Sequence, residues 1–240
     1  MVITIVKKKL LLGIGLAALA LLGSEVEKTL ADNARVVKYI PTTHKIVALT
    51  FDDGPGKKTP EILSILRARN VRATFFVVGE MVEKYPQYVR DEFAGGHEVG
   101  NHTFTHVRLS HINKEKLLNE LDRTDRLLAK TLGIKCTLFR PPGGGYDHTL
   151  LDEASRRDYT IVLWSVDSHD WYSSGEGIVR SVLRNTRPGG IILFHDGIGP
   201  LPTSKVLPLI IDRLKEQGYE FLTVSELLRY YEERPKYSVD

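Results

Sequence analysis

Five short segments place acids, imidazoles and an arginine where core packing would not select them. Asp52-Asp53-Gly54-Pro55 follows the apolar run Ile46 to Phe51, and His102-Thr103-Phe104-Thr105-His106 follows Glu98 to Asn101. Arg140-Pro141-Pro142-Gly143, Asp167 with Asp170-Trp171, and His195-Asp196 each follow another apolar or β-branched run. Neighbouring acids on an extended backbone point to opposite sides, so Asp52 and Asp53 can divide two tasks, one facing a metal and one facing substrate or water. Alone, Asp-Asp-Gly-Pro is turn-forming; the strand before it and the distant histidines favour chemistry. His102 and His106, four apart, would share one face of a helical turn and offer two imidazoles to one ion. Added to one carboxylate they make a set of protein ligands with positions left open, as in catalytic rather than structural sites.

The other segments suit the remaining tasks of a catalytic centre. Arg140 can pair with a carboxylate and orient it. The glycines after it leave backbone N–H groups free to approach a substrate oxygen closely. His195 emerges from the apolar run Ile191 to Phe194, and becomes a general acid if Asp170 or Asp167 keeps it protonated. Trp171 lies in a loop and suits the wall of a sugar pocket, whereas Trp164 reads as core. His97 and His111 are read as structural.

What must hold these groups together is a series of strands and helices in alternation. Ile46 to Phe51, Ala73 to Val78, Glu98 to Asn101, Thr137 to Arg140, Thr160 to Val166, Ile191 to His195 and Glu220 to Leu222 read as strands. Helices are expected from Thr59, as N-cap, to Arg69, and over Asn113 to Leu132, Asp147 to Arg157, Ile178 to Arg187, Ser204 to Gln217 and Val224 to Glu233. Such alternation predicts an α/β fold with a parallel sheet, open or closed into a barrel. The carboxyl ends of its strands form one face, and all the unusual segments fall there.

Composition limits the alternatives. The chain has 240 residues, 42% of them apolar, enough for one sizeable core, and carries a formal charge of +3 without a concentrated basic patch. Nucleic acid is therefore not expected as a partner. A single cysteine, Cys136, excludes an internal disulfide and a cysteine-rich zinc site. Lys7, Lys8 and Lys9 precede the uncharged run Leu10 to Leu22, shorter than the ~20 residues of a membrane-spanning helix and matching a signal-peptide core. Residues 1–23 are thus expected to be a signal peptide or membrane anchor, residues 24–44 a spacer and residues 45–233 the folded domain. Loss of the leader would remove the lysine triplet and leave no net charge.

In order and in residue type, the five segments resemble the motifs of the polysaccharide deacetylase family, carbohydrate esterase family four, also called the NodB-homology domain. The likeness runs from about Lys45 to Arg229 and extends to short bacterial, spore-associated members. It implies a distorted (β/α) barrel of about seven βα units that removes acetyl groups from N-acetylated sugars of a polymer such as peptidoglycan or chitin. It further implies that Asp53, His102 and His106 hold a divalent metal, zinc foremost with cobalt or nickel as alternatives. Asp52 would be the base, oriented by Arg140, and His195 the acid, tuned by Asp170. Gly143 would donate its N–H to the oxyanion, and Trp171 and Leu193 would line the sugar and acetyl pocket. One departure is Gly143-Gly144-Gly145, where many members carry a bulky residue after Arg-Pro-Pro; the cleft is expected to be wider there. An exported monomer acting on an acetylated glycan is the resulting expectation. O-deacetylation of xylan-type glycans, or glycan binding without turnover, are the rival readings.

Overall fold

The computed structural model describes residues 35–109, 112–197, 199 and 201–232. The leader expected over 1–23, residues 24–34 of the spacer, and His111 lie outside the described residues. Among those described, the strands are β1 (Arg35–Val37), β2 (Ile46–Asp52), β3 (Thr74–Val77), β4 (Glu98–Asn101), β5 (Leu138–Phe139), β6 (Thr160–Val162), β7 (Val166–Asp167), β8 (Gly190–His195) and β9 (Glu220–Phe221). The helices are α1 (Thr59–Ala68), α2 (Gly79–Lys84), α3 (Pro86–Ala94), α4 (Lys114–Leu132), α5 (His148–Arg157), α6 (Gly175–Asn185), α7 (Thr203–Glu216) and α8 (Val224–Glu232). No helix among the described residues is long and apolar enough to cross a membrane.

Neighbouring strands are parallel, in the order β1-β6-β5-β4-β3-β2-β8-β7, with β9 also paired to β2. The sheet curls into a distorted (β/α) barrel, and the chain itself closes it. The stretch Thr160 to Val166, expected as one strand, is two: β6 pairs between β1 and β5 near one end of the sheet, and β7 pairs with β8 at the other end. Residues 163–165 cross between them, Leu163 N–H donating to Val37 O (2.7 Å) and Ser165 N–H to Ile191 O (3.0 Å). The sheet also starts earlier than expected. Within the stretch read as a spacer, Arg35–Val37 pairs with β6, and Tyr39 bridges Gly190.

Strand alternation builds two apolar layers. Val47, Leu49 and Phe51 of β2 pack outward with helical residues such as Ile62, Leu66, Leu121 and Ile210. Ile46 and Ala48 face the barrel interior, with Phe76, Leu138, Val162 and Ile191, and meet Val224, Leu227 and Leu228 of α8. Each such fully buried side chain contributes about 1.5–3 kcal/mol. Helix α8 is therefore the barrel's floor. Thr223 and Glu226 cap its start reciprocally, by Thr223 N–H to Glu226 Oε2 (2.9 Å) and Glu226 N–H to Thr223 Oγ1 (3.3 Å). Two more of its orphan N–H groups are met by the sheet, Val224 by Thr74 Oγ1 (2.9 Å) and Ser225 by Glu98 Oε2 (3.1 Å).

Other helix limits follow local chemistry. Asn113 and Asp147 cap α4 and α5 by accepting from Lys116 and Leu150 N–H. Thr59 is not the expected N-cap but the first residue of α1. Its hydroxyl accepts from Gly56 N–H (2.8 Å) and donates to the Asp196 carboxylate. Helices α2 and α3 were not anticipated, although Pro86 at the start of α3 is a helix-initiating signal.

Candidate metal and catalytic site

Residues Thr50 and Asp52 continue the inward face of β2, and β5 delivers Arg140 to both. The Arg140 guanidinium is fully buried. Its Nη1 donates to Asp52 Oδ1 (2.7 Å) and Thr50 Oγ1 (2.8 Å), Nε to Val162 O (3.0 Å) and Nη2 to Leu163 O (3.2 Å). Two of those acceptors are carbonyls at the crossing from β6 toward β7, so one side chain both braces the closure and pairs with the acid. Burial pulls the guanidinium pKa down, and the Asp52 charge opposes it. The ring of Phe76 lies 4.2 Å from the guanidinium carbon, a cation–π contact inside the barrel.

Asp53 leaves the strand through a left-handed backbone, φ 71°. Its Oδ1 lies 3.0 Å from His106 Nε2 and 3.4 Å from His102 Nε2. The histidines are not on a helical turn, as their spacing suggested. They bracket an irregular loop after β4 in which Thr103 and His106 are left-handed (φ 67° and 57°), and the bend still brings the rings to 5.1 Å. His102 Nδ1 lies 2.6 Å from Arg140 O, which assigns the ring proton to Nδ1 and turns the Nε2 lone pair toward Asp53. Asp53 Oδ1 is buried without a hydrogen bond. An acceptor nitrogen facing an orphaned carboxylate oxygen is stable only with a cation or a proton between them. The donor atoms of Asp53, His102 and His106 all lie within 4.8 Å of one another. They therefore fit a divalent cation of the kind that accepts mixed nitrogen and oxygen ligands. Without a cation the two imidazoles can meet Asp53 only as proton donors: burial raises its carboxyl, but His102 and His106 in that form outweigh burial and hold it well below the carboxylate range. In turn Asp53 raises His106 against the effect of burial.

On the neighbouring strand, His195 ends β8 in register with Asp52. Its Nδ1 lies 2.7 Å from Asp170 Oδ1, and its backbone N–H donates to Asp170 Oδ2 (2.9 Å). The Thr203 hydroxyl also donates to Oδ2. Burial alone would lower the imidazole pKa; the hydrogen bond and charge of Asp170, with Asp52 and Asp53 behind it, push it up to about 9. Asp170 is thus the partner of His195. The alternative, Asp167, instead engages His169 through its N–H (2.8 Å) and Nδ1 (3.2 Å).

The remaining predicted residues differ in their settings. Gly143 has φ 71° and open space where a Cβ would stand, consistent with a cleft lacking a wall there. Gly144 is different: a Cβ would come within 2.9 Å of Trp164. Leu193 is buried in β8, whereas Trp171 is 63% exposed and meets Tyr172 edge-on at 4.3 Å. Sequence reasoning assigns no role to Thr50, Thr203 or Asp196. Asp196 is fully buried beside Gly54, and burial, with Asp53 and Asp52 nearby, lifts its carboxyl to about 7 despite the Thr59 hydrogen bond.

Residues 39–162 match the family model for polysaccharide deacetylase. The chain belongs to the polysaccharide deacetylase family. It is 40% identical over 210 residues to a peptidoglycan-N-acetylglucosamine deacetylase of Bacillus cereus, across 85% of this chain and 98% of the relative. The solved Bc1960 peptidoglycan N-acetylglucosamine deacetylase superposes with a TM-score of 0.79 at 36% identity, covering 82% of this chain and 94% of that one. A mutant of the family pseudoenzyme BA3943 with restored enzymatic activity superposes at 0.77 with 30% identity, covering 82% and 72%. Family membership makes the chain a hydrolytic deacetylase of the metal-dependent kind.

Proposed function

We propose that this deacetylase removes acetyl groups from the N-acetylated amino sugars of peptidoglycan, releasing acetate, with Asp52 as base and His195 as acid. One observation carries the assignment of roles: an Arg-bound carboxylate and an Asp-bound imidazole flank a single His-His-Asp donor set. Asp53, His102 and His106 would hold the cation, zinc foremost with cobalt or nickel as alternatives. When bound, such an ion supplies Lewis acidity, lowering the pKa of a water and polarising a carbonyl.

The protein's own groups do the rest. Asp52, oriented by Arg140, takes the proton of the attacking water as its oxygen joins the acetamide carbon. The Gly143 N–H donates to the carbonyl oxygen as negative charge gathers there. His195, protonated at neutral pH and steered by Asp170, passes a proton to the nitrogen as the carbon–nitrogen bond breaks, leaving a free amine and acetate. Trp171 offers an exposed ring face to the sugar, and Leu193 flanks the acetyl group. Because the polymer lies outside the membrane, the enzyme works at the cell wall, delivered or tethered by residues 1–23 as a single chain.

Acetate release from peptidoglycan fragments and chitooligosaccharides, with zinc or cobalt supplied, tests this reading. Release from the N-acetylated substrates in preference to acetylated xylan is expected. A pure, folded chain that releases none from any of them overturns it.

A further inference from the structure

The loop between His102 and His106 is gripped from the side by one carboxylate. Glu120 lies on the buried face of α4 between Leu117 and Leu121 and is 4% exposed. Its Oε2 accepts from the backbone N–H groups of Phe104 (2.9 Å) and Thr105 (2.8 Å), and its Oε1 from the Thr105 hydroxyl (2.8 Å). On the loop's other side, Thr103 O and Phe104 O accept from Gly79 and Glu80 N–H, at 3.0 and 2.9 Å, at the start of α2. That approach needs glycine, because a Cβ at position 79 would stand 2.3 Å from the Phe104 ring. The Arg123 guanidinium covers the same ring at 3.4 Å.

The two histidines depend on this grip unequally. His102 is buried and anchored through Nδ1 to Arg140 O. His106 has a side chain 45% exposed, a left-handed backbone and Asp53 as its ionic contact. Where its ring stands is therefore set by the backbone of residues 103–105. A charged acceptor is the stronger hydrogen-bond partner for buried N–H groups, and removing it would strand the Phe104 N–H. We propose that Glu120 is a positioning residue for the metal site, acting through His106 by fixing the loop that presents its Nε2 to Asp53. The inference rests on the reading that Asp53, His102 and His106 hold a divalent cation.

Zinc and cobalt affinities of the metal-free full chain, measured by competition with a chromophoric chelator, test it. Glu120→Ala should weaken affinity by ~10–100-fold, the usual cost of losing a group that orients a ligand. Glu120→Gln should stay close to wild type, since its amide oxygen can accept both N–H groups and its NH2 can donate to the Thr105 hydroxyl. In a His106→Ala background, Glu120→Ala should cost no more than about twofold further, because its effect runs through the missing ring. Thermal melts in chelator ensure that affinities are read on folded protein. Should Glu120→Ala not fold, Glu120→Asp keeps the charge, loses the reach, and is expected to weaken binding in the same background-dependent way. Unchanged affinity in the truncated variant, or equal losses in both backgrounds, overturns the proposal. A wild-type chain that binds neither ion overturns the metal reading itself, and this inference with it.

Discussion

The two sides of the site use the same device, a carboxylate paired with a cationic side chain at a strand end, to opposite effect. On one side Asp52 meets Arg140, whose charge is permanent and whose other donors are bound to the Thr50 hydroxyl and two backbone carbonyls. On the other Asp170 meets His195, a group that can give up its proton. The first pair is a fixed fitting that fuses Asp52 to the barrel's closure. The second is a proton store whose filling depends on pH. A deacetylation needs one of each.

The largest expected effect comes from neutralising the fixed side. Asp52→Asn should lower turnover by ~10²–10⁴-fold while leaving metal affinity near wild type, and because it leaves Arg140 buried without its counter-charge the melting temperature should fall as well. A variant with most of its activity would remove Asp52 from the base role. Next in size is Arg140→Met, which strands a buried carboxylate and two carbonyls. Loss of one partner of such a pair costs about 3–5 kcal/mol, read from chemical denaturation. Arg140→Lys should recover only part of it, because an ammonium cannot span acceptors placed for a planar fork. Full recovery would show that charge alone matters there.

The smallest effect, and the one most specific to the other side, is a displaced pH profile. The imidazole of His195 is raised to about 9, so its acidic form persists below that pH and kcat/KM should fall as pH rises through it. Asp170→Asn keeps the shape and removes the charge. The alkaline limb should then move down toward the ordinary histidine value, with activity near pH 6 the least affected. The same shift gives the stability sign: a raised folded-state pKa stabilises the protein below the unfolded value and loses that contribution as pH rises through about 9. An alkaline limb that stays put in the variant would dissolve the distinction between the two sides.

Much of this was legible from residues alone. The positions of Asp52, Asp53, Arg140 and His195 at the ends of apolar runs sufficed to bring them together, because parallel strands present their carboxyl ends on one face. The conformation of His102–His106 was not legible: i to i+4 spacing suggests a helix, whereas hydrogen bonds to Asn101 Oδ1, α2 and Glu120 hold the left-handed alternative. Glu120 itself left a faint sign, an acid on the Leu117, Leu121 and Leu128 stripe of an otherwise ordinary amphipathic helix. The break at Leu163 to Ser165 could not be read, since strand propensity runs straight through it. Its cause is closure of the curled sheet, a demand that no local window contains.

The floor made by α8 has a consequence for how the molecule comes into being. A chain made from its amino end completes β2, β3, β5 and β6 long before Val224, Leu227 and Leu228 exist. Until those last residues arrive, the inward faces of Phe76, Leu138 and Val162 have no cover, and the pairing of β2 with β8 and β9 spans most of the domain. Such distant pairing folds slowly. Until α8 is in place, the barrel is therefore an unfinished vessel, open at its base.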